Sequence, residues 1–401
     1  MEDHRASSWL RQAADRDDRP LRTLGSNPTR PPDFLLQSNS RYCDALSPDL
    51  IEVFPSFREI LTSMSGKPII LSLTKMHDSG LSRLREAGEL RMATSLEPAV
   101  LWKEIADADA LVIRTAGEID ATLMDAGLRL KVIGRHGVGY DQVAVPAATK
   151  RGIQVVYTPG ANTQSVAEHV FAMMIGLSKQ FNLQGLALVQ GRYNDRTKLV
   201  GRDIAGKTLG IVGFGRIGRR VGRIARAGFG MNVVYNDVTR APIEVEQAAE
   251  ARQVSLDELL QMSDYVTLHV PLDSTTRRMI GRDAIAAMKP GAILLNTCRG
   301  PVVDESAVAE GLASGQLFGY GADVYDVEPP PANHPLIGRT EWNLMLTPHS
   351  AAQTIESLTN MATEVAVDVV GVLQGRRPIN PVNDPDEVEA SRVRRGLTSL
   401  R

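Results

Sequence analysis

An apolar run from Thr208 to Val212 leads directly into Gly213, Gly215 and Gly218 in GxGxxG spacing, and Ile217, Val221 and Ile224 then continue as one face of a helix. Strand, tight turn and helix in that order open a parallel βαβ unit, because parallel neighbours need a crossover connection. In that geometry Gly213 permits the turn, Gly215 lets the backbone approach a diphosphate, and Gly218 allows helix and strand to pack closely. The phosphates would meet the helix N-terminus, where unpaired N–H groups and the dipole favour negative charge. Asp237 ends the next strand, where a carboxylate accepts hydrogen bonds from adenosine ribose hydroxyls and repels a 2′-phosphate. The pattern predicts NAD rather than NADP as cofactor, with Arg240 nearby as a residue that softens the preference.

The same alternation runs through most of the chain. Short apolar runs at Ile69 to Leu73, Ala110 to Ile113, Lys131 to Gly134 and Gln154 to Tyr157 are separated by polar or helical stretches, which reads as one parallel sheet. Val166, Val170, Met173 and Leu177 then recur at helical spacing. A second series follows, with strands expected near 208–212, 232–236, 265–270, 292–296, 317–322 and 344–347, enough for a doubly wound sheet. Ile355 to Val372 reads as one more amphipathic helix, stopped by Gly375 and Pro378, and the charged tail after it is expected to be loose. Residues 1–65 show no sustained period and read as an irregular extension, with Met64 an alternative start that mass spectrometry of the native protein would test.

Composition excludes several classes. A chain of 401 residues is long enough for two cores, and 43% hydrophobic with 23% charged residues is ordinary for a globular protein. Its 45 basic and 47 acidic residues leave no electrostatic footprint for nucleic acid. No run of about 18 apolar residues offers a membrane span. The arginine-rich start resembles a transit peptide only until Glu2, Asp3, Asp15, Asp17 and Asp18 are counted. Cys43 and Cys298 lack disulfide or metal-ligand spacing, so no metal is expected and a reducing cytoplasm fits.

Three segments then place chemical side chains just after strands of the second series: Asn-Thr-Cys-Arg-Gly at 296–300, Asp-Val-Tyr-Asp-Val-Glu-Pro at 323–329 and Thr-Pro-His-Ser at 347–350. Together with Gly-Val-Gly-Tyr-Asp at 137–141, Asn-Thr-Gln-Ser-Val-Ala-Glu at 162–168 and Leu-His-Val-Pro-Leu at 268–272, they resemble the D-isomer-specific 2-hydroxyacid dehydrogenases from about Lys67 to Pro381. That family includes phosphoglycerate dehydrogenases, glyoxylate and hydroxypyruvate reductases and D-lactate dehydrogenases.

The resemblance implies an α/β protein with two doubly wound parallel sheets. A Rossmann NAD domain at about 161–349 is flanked by a flavodoxin-like substrate domain split over 66–160 and 350–381, with a tail at 382–401. Arg299 would hold the substrate carboxylate, His349 would be the acid and base, and Glu328 its carboxylate partner. Histidine suits proton transfer near neutrality, a neighbouring carboxylate favours the imidazolium, and a planar arginine fork pairs bidentately with a carboxylate. Backbone at Val138 and Gly139 would add bonds to the same carboxylate, and Arg114 matches a position that reaches substrate. Cofactor contacts are implied for Arg216, Ile217, Thr297, Cys298, Asp323, Ser350 and Ala351. Cys298 stands where relatives often carry serine or alanine, which raises sensitivity to thiol reagents. His136, His169 and His269 read as packed or solvated.

The implied partner is a small 2-hydroxy or 2-keto acid, 3-phosphoglycerate among them, and the implied assembly is a homodimer with the Val166 to Leu177 helix at its surface. A phosphorylated substrate would need Arg114, Arg135 or Lys75 to converge on the cleft. Oxidation of phosphite and a non-catalytic NAD(H)-sensing role of the corepressor kind are the alternatives on the same scaffold; formate oxidation is disfavoured because those relatives carry glutamine at the position of Glu328.

Overall fold

The computed structural model describes residues 66–114, 117–397, 399 and 400. The extension read over 1–65, with Met64 and Cys43, lies outside the described residues.

One sheet contains β1 (Ile69–Ser72), β2 (Glu89–Met92), β3 (Ala110–Ile113), β4 (Val132–Arg135) and β5 (Gln154–Val156). Their order is β2-β1-β3-β4-β5, all parallel, which is the flavodoxin-like winding. The other contains β6 (Thr208–Val212), β7 (Asn232–Asn236), β8 (Ala251–Gln253), β9 (Tyr265–Leu268), β10 (Ala292–Asn296), β11 (Leu317–Ala322) and β12 (Leu344–Leu346). Their order, β12-β11-β10-β9-β6-β7-β8, reverses direction at β6, as in a Rossmann sheet with an added edge strand. Both sheets are covered on two faces, so β3 and β10 are buried along their whole length and read as continuous apolar runs rather than alternating ones. The two strands without a sequence signal, β2 (Glu-Leu-Arg-Met) and β8 (Ala-Arg-Gln), are both edge strands, where short length and charge protect the open side.

The Val166, Val170, Met173 and Leu177 stripe belongs to the helix Thr163–Ser178 and is buried against the seven-stranded sheet. Burial of that stripe is what its helical spacing predicts. The helix Ile355–Leu373 starts at Thr354, whose hydroxyl accepts the Ser357 N–H at 3.1 Å. Its Val365 and Val369 lie directly on β4: a Cβ built at Gly134 would stand 2.5 Å from Val369 Cγ2 and 2.9 Å from Val365 Cγ2. Only a residue without a side chain lets that helix so close to the sheet.

The end of the chain corrects another expectation. Far from being loose, it forms a helix, Pro385–Arg394, that buries Val388, Ser391 and Arg392. Asn383 docks it: the side-chain oxygen accepts from Val155 N at 2.8 Å and Gln154 Nε2 at 2.7 Å, and its amide donates to the Ile153 carbonyl at 2.9 Å. These bonds satisfy backbone on the open side of β5. The signal was present in Asp384 as cap, Pro385 in the first turn, acids at 386 and 387 and arginines at 392 and 394, but the dense charge masked it.

Overpacking at Gly134 and relief at an unobstructed glycine form a matched test. Gly134→Leu should cost roughly 1–3 kcal/mol. Gly228→Ala, on the helix Arg216–Phe229 with nothing within 4 Å of an added Cβ, should add roughly 0.4–1 kcal/mol. Denaturant melts of both variants check this, and equal shifts would contradict the close approach at β4.

Candidate active site

All the site residues follow the carboxyl ends of strands. After β6, Gly213 takes a left-handed φ of 91°, and a Cβ there would press on the His269 carbonyl at 2.7 Å. Gly218 packs on the Gly213 carbonyl, while the space around Gly215 is open. The helix beginning at Arg216 has no side-chain cap, so its first N–H groups face outward without an internal acceptor. Arg216 is exposed there, and Ile217 is half-buried against the core. The Asp237 carboxylate accepts the Phe214 N–H at 2.6 Å and the Thr239 N–H at 3.3 Å, which fixes it at the lip of the glycine turn. An uncapped helix end, an open glycine and an adjacent carboxylate fit the diphosphate and ribose of a dinucleotide.

After β10, the turn 297–299 is shaped by Asn296, a buried residue that sequence reasoning passed over. Its side-chain oxygen accepts from Cys298 N and Cys298 Sγ, each at 3.1 Å, and its amide donates to the Arg299 carbonyl at 2.9 Å. Burial pushes the Cys298 thiol up to about 11. It stays protonated at neutral pH, which corrects the expectation of a reactive cysteine. Thr297 Oγ1 is buried with no hydrogen-bond partner among the described residues.

Asp323, at the end of β11, is buried and gathers the turn that carries His349. Its carboxylate accepts from Ser350 N at 2.7 Å, Ala351 N at 2.8 Å and Thr347 Oγ1 at 2.5 Å, and its carbonyl accepts the His349 N–H at 2.8 Å. Asp323, Ser350 and Ala351, implied as cofactor contacts, are thus first of all bonded to one another. His169 Nε2 reaches Thr347 Oγ1 at 3.0 Å, so it too steadies this turn. His349 itself sits at a φ of 51°, a strained conformation for a residue with a Cβ, of the kind retained where a side chain must be aimed.

The three candidate catalytic residues come together. His349 Nδ1 lies 2.7 Å from Glu328 Oε2, and Glu328 Oε1 accepts the Tyr325 N–H at 3.1 Å. An ionised carboxylate only accepts, so Nδ1 carries the proton and Nε2 is left to face the cleft. Burial would raise the Glu328 pKa, but the bond and charge of His349, the Tyr325 amide and the charge of Arg299 outweigh it and hold the carboxyl below its usual value. Arg299 bonds Asp141 through Nε at 3.0 Å and Nη2 at 2.7 Å, and the Cys298 carbonyl through Nη1 at 2.6 Å. Asp141 is the last residue of the Gly-Val-Gly-Tyr-Asp motif, and its part as the partner of Arg299 was not legible without coordinates. Gly139 lies hard against the Arg299 fork, with no room there for a Cβ. Among the described residues, the N–H groups of Val138 and Gly139 have no backbone partner.

Behind this loop the positive charge is dense. Arg135 is buried and donates to the Gly139 carbonyl at 2.6 Å and the His136 carbonyl at 2.5 Å. Burial, then the charges of Arg299 and Arg114, bring its pKa down to about 10. His136 is held neutral, down at about 4, by burial and by Arg114 and Arg135. Arg114 is half-buried and has no carboxylate partner among the described residues. Lys75 is exposed. Burial drives His269 to about 3, and its bond to Thr267 Oγ1 at 3.0 Å makes it structural. Among the described residues no group of acids, histidines and cysteines could hold a metal ion, and no helix is long and apolar enough to cross a membrane.

Known proteins resemble this chain over most of its described length. The family model described as D-isomer specific 2-hydroxyacid dehydrogenase, NAD binding domain, matches residues 171–351. The chain is 38% identical over 324 residues to a glyoxylate reductase of Korarchaeum cryptofilum, covering 79% of this chain and 96% of that one. It is 39% identical over 321 residues to a D-3-phosphoglycerate dehydrogenase of Methanocaldococcus jannaschii, of whose length it spans only 60%. The crystal structure of a glyoxylate reductase from Paecilomyes thermophila superimposes with a TM-score of 0.73 at 31% identity, over 79% of this chain and 99% of that one. With the NAD binding domain in place at 171–351 and the likeness extending over nearly the whole of the Korarchaeum protein, the chain belongs to the D-isomer specific 2-hydroxyacid dehydrogenase family.

Proposed function

We propose that this protein is an NAD-dependent oxidoreductase that moves a hydride between nicotinamide and carbon 2 of a small D-2-hydroxy or 2-keto acid. The observation that carries the reading is the His349–Glu328 pair at 2.7 Å within the field of Arg299. The substrate domain is assigned to 66–160 with 350–381 and the nucleotide domain to 161–349, so that the cleft receives residues from both. NAD, held at Gly213, Gly215, Gly218 and Asp237 with Arg216, Ile217, Thr297 and Cys298 alongside, supplies the hydride acceptor or donor. Arg299, with the Val138 and Gly139 amides, fixes the substrate carboxylate and so decides which face of carbon 2 is presented. His349 Nε2 takes the hydroxyl proton in oxidation and returns it to the carbonyl oxygen in reduction, while Glu328 holds the ring and stabilises its charged form.

Arg114 favours a substrate with a second anionic group, such as 3-phosphoglycerate, because an arginine without a carboxylate partner beside a cluster already rich in positive charge is stabilised by an incoming anion. For assembly, exposed Phe181, Leu188 and Val189 on the helix Phe181–Val189, with Tyr193 and Val200 following, are assigned as the surface that meets a second copy. A cytoplasmic location fits the sparse cysteines.

His349→Ala should reduce turnover by about 10²–10⁴-fold while NADH affinity is nearly kept; turnover preserved at saturating NADH would refute its role. Arg114→Leu should raise KM for 3-phosphohydroxypyruvate about tenfold or more and leave glyoxylate reduction little changed; an equal effect on both would remove the case for a doubly charged substrate. A panel of 2-keto acids with NADH and NADPH identifies the substrate, and silence throughout would count against a 2-hydroxyacid substrate and leave phosphite oxidation or the NAD(H)-sensing role. Leu188→Glu with Val189→Glu should yield a monomer by light scattering, and an unaltered mass would disprove the assigned surface.

A further inference from the structure

Glu246 stands on the short helix Ile243–Ala249, which follows the Asp237 turn. Its side chain is 7% exposed, against 69% for Arg240. Glu246 Oε1 accepts from Tyr235 Oη at 2.6 Å and from Arg240 Nε at 3.1 Å, and Oε2 accepts from Arg240 Nη2 at 3.0 Å. Tyr235 is wholly buried, stacks on Phe214 with ring centroids 4.2 Å apart, and receives the Ala241 N–H at 2.9 Å. The carboxylate is therefore anchored in the fold, and the exposed arginine is what it holds. The bonded Nε–Nη2 edge is one of the paired-donor edges with which a guanidinium grips phosphate. Asp237 meanwhile is bonded to the backbone at Phe214 and Thr239, not to Arg240.

We infer that Glu246 is a selectivity-determining residue, which keeps Arg240 occupied and so withholds from the ribose turn a cation that would stabilise a 2′-phosphate. Discrimination against NADP then comes from two carboxylates, Asp237 by repulsion at the ribose and Glu246 by restraint of the neighbouring arginine. The bond to Arg240, then that from Tyr235, keeps the Glu246 carboxyl below the usual range, so the restraint operates at neutral pH. The inference rests on the reading of the Asp237 turn as the adenosine ribose site.

The test is equilibrium titration of the purified full chain with NADH and NADPH, followed by nucleotide fluorescence, without substrate. Wild type should bind NADH more tightly. Glu246→Gln should shift the affinity ratio toward NADPH by about tenfold, the scale of one charge-assisted contact, and adding Arg240→Ala should return the ratio to the wild-type value. Glu246→Asp keeps the buried charge with a shorter reach and should shift the ratio by less; it decides the matter if Glu246→Gln does not fold. Retained NADH binding with an unchanged ratio in the folded Glu246 variants, or a gain that survives Arg240→Ala, would overturn the inference and leave the cofactor reading standing. A wild-type chain that binds neither nucleotide would overturn the ribose-site reading, and the inference with it.

Discussion

Every strand in both sheets runs parallel to its neighbours, and that constraint organises everything else. Parallel pairing forces a crossover after each strand, the crossovers cover both faces, and burial on both faces makes the central strands predominantly apolar. It also gathers the carboxyl ends of all strands at one edge of each sheet. Gly213, Asp237, Arg299, Asp323 and His349 are consecutive uses of that edge in one sheet, and Arg114 and the 136–141 loop are its uses in the other.

Parallel burial also explains what the sequence made legible. Strands such as Ala110–Ile113 and the run at 292–295 stand out because they are continuously apolar, and the glycine turn stands out because Gly213 and Gly218 each answer a steric demand while Gly215 keeps open the space beside them. His349, Glu328 and Arg299 were legible by family likeness. What escaped were features fixed by tertiary partners: the polar edge strands β2 and β8, the docked final helix, and the bonds of Asn296 and Asp141, whose side chains carry no periodic signal. The helix Thr163–Ser178 was legible as an element with one buried stripe, because apolar residues at spacings of four and three mark a single face.

The polar interior of the site is economical. Asp323 binds Thr347, His349, Ser350 and Ala351 of the turn that aims His349, and Asn296 binds Cys298 and Arg299 in the turn that aims Arg299. The turns that carry His349 and Arg299 are thus each held by a buried polar residue at the end of a strand, so their orientation is set before any ligand arrives.

The pairing of Arg299 with Asp141 bears on how an acid would enter and leave. A guanidinium already neutralised by a resident carboxylate does not gain a new ion pair when a substrate carboxylate approaches; it trades one for another. On the proposed reading, affinity is then the difference between two similar attachments, and the resident group stands ready to reclaim the fork when the product departs. Such a swap favours rapid exchange over tight retention, and it makes the 137–141 loop as much a gate for release as a wall of the pocket.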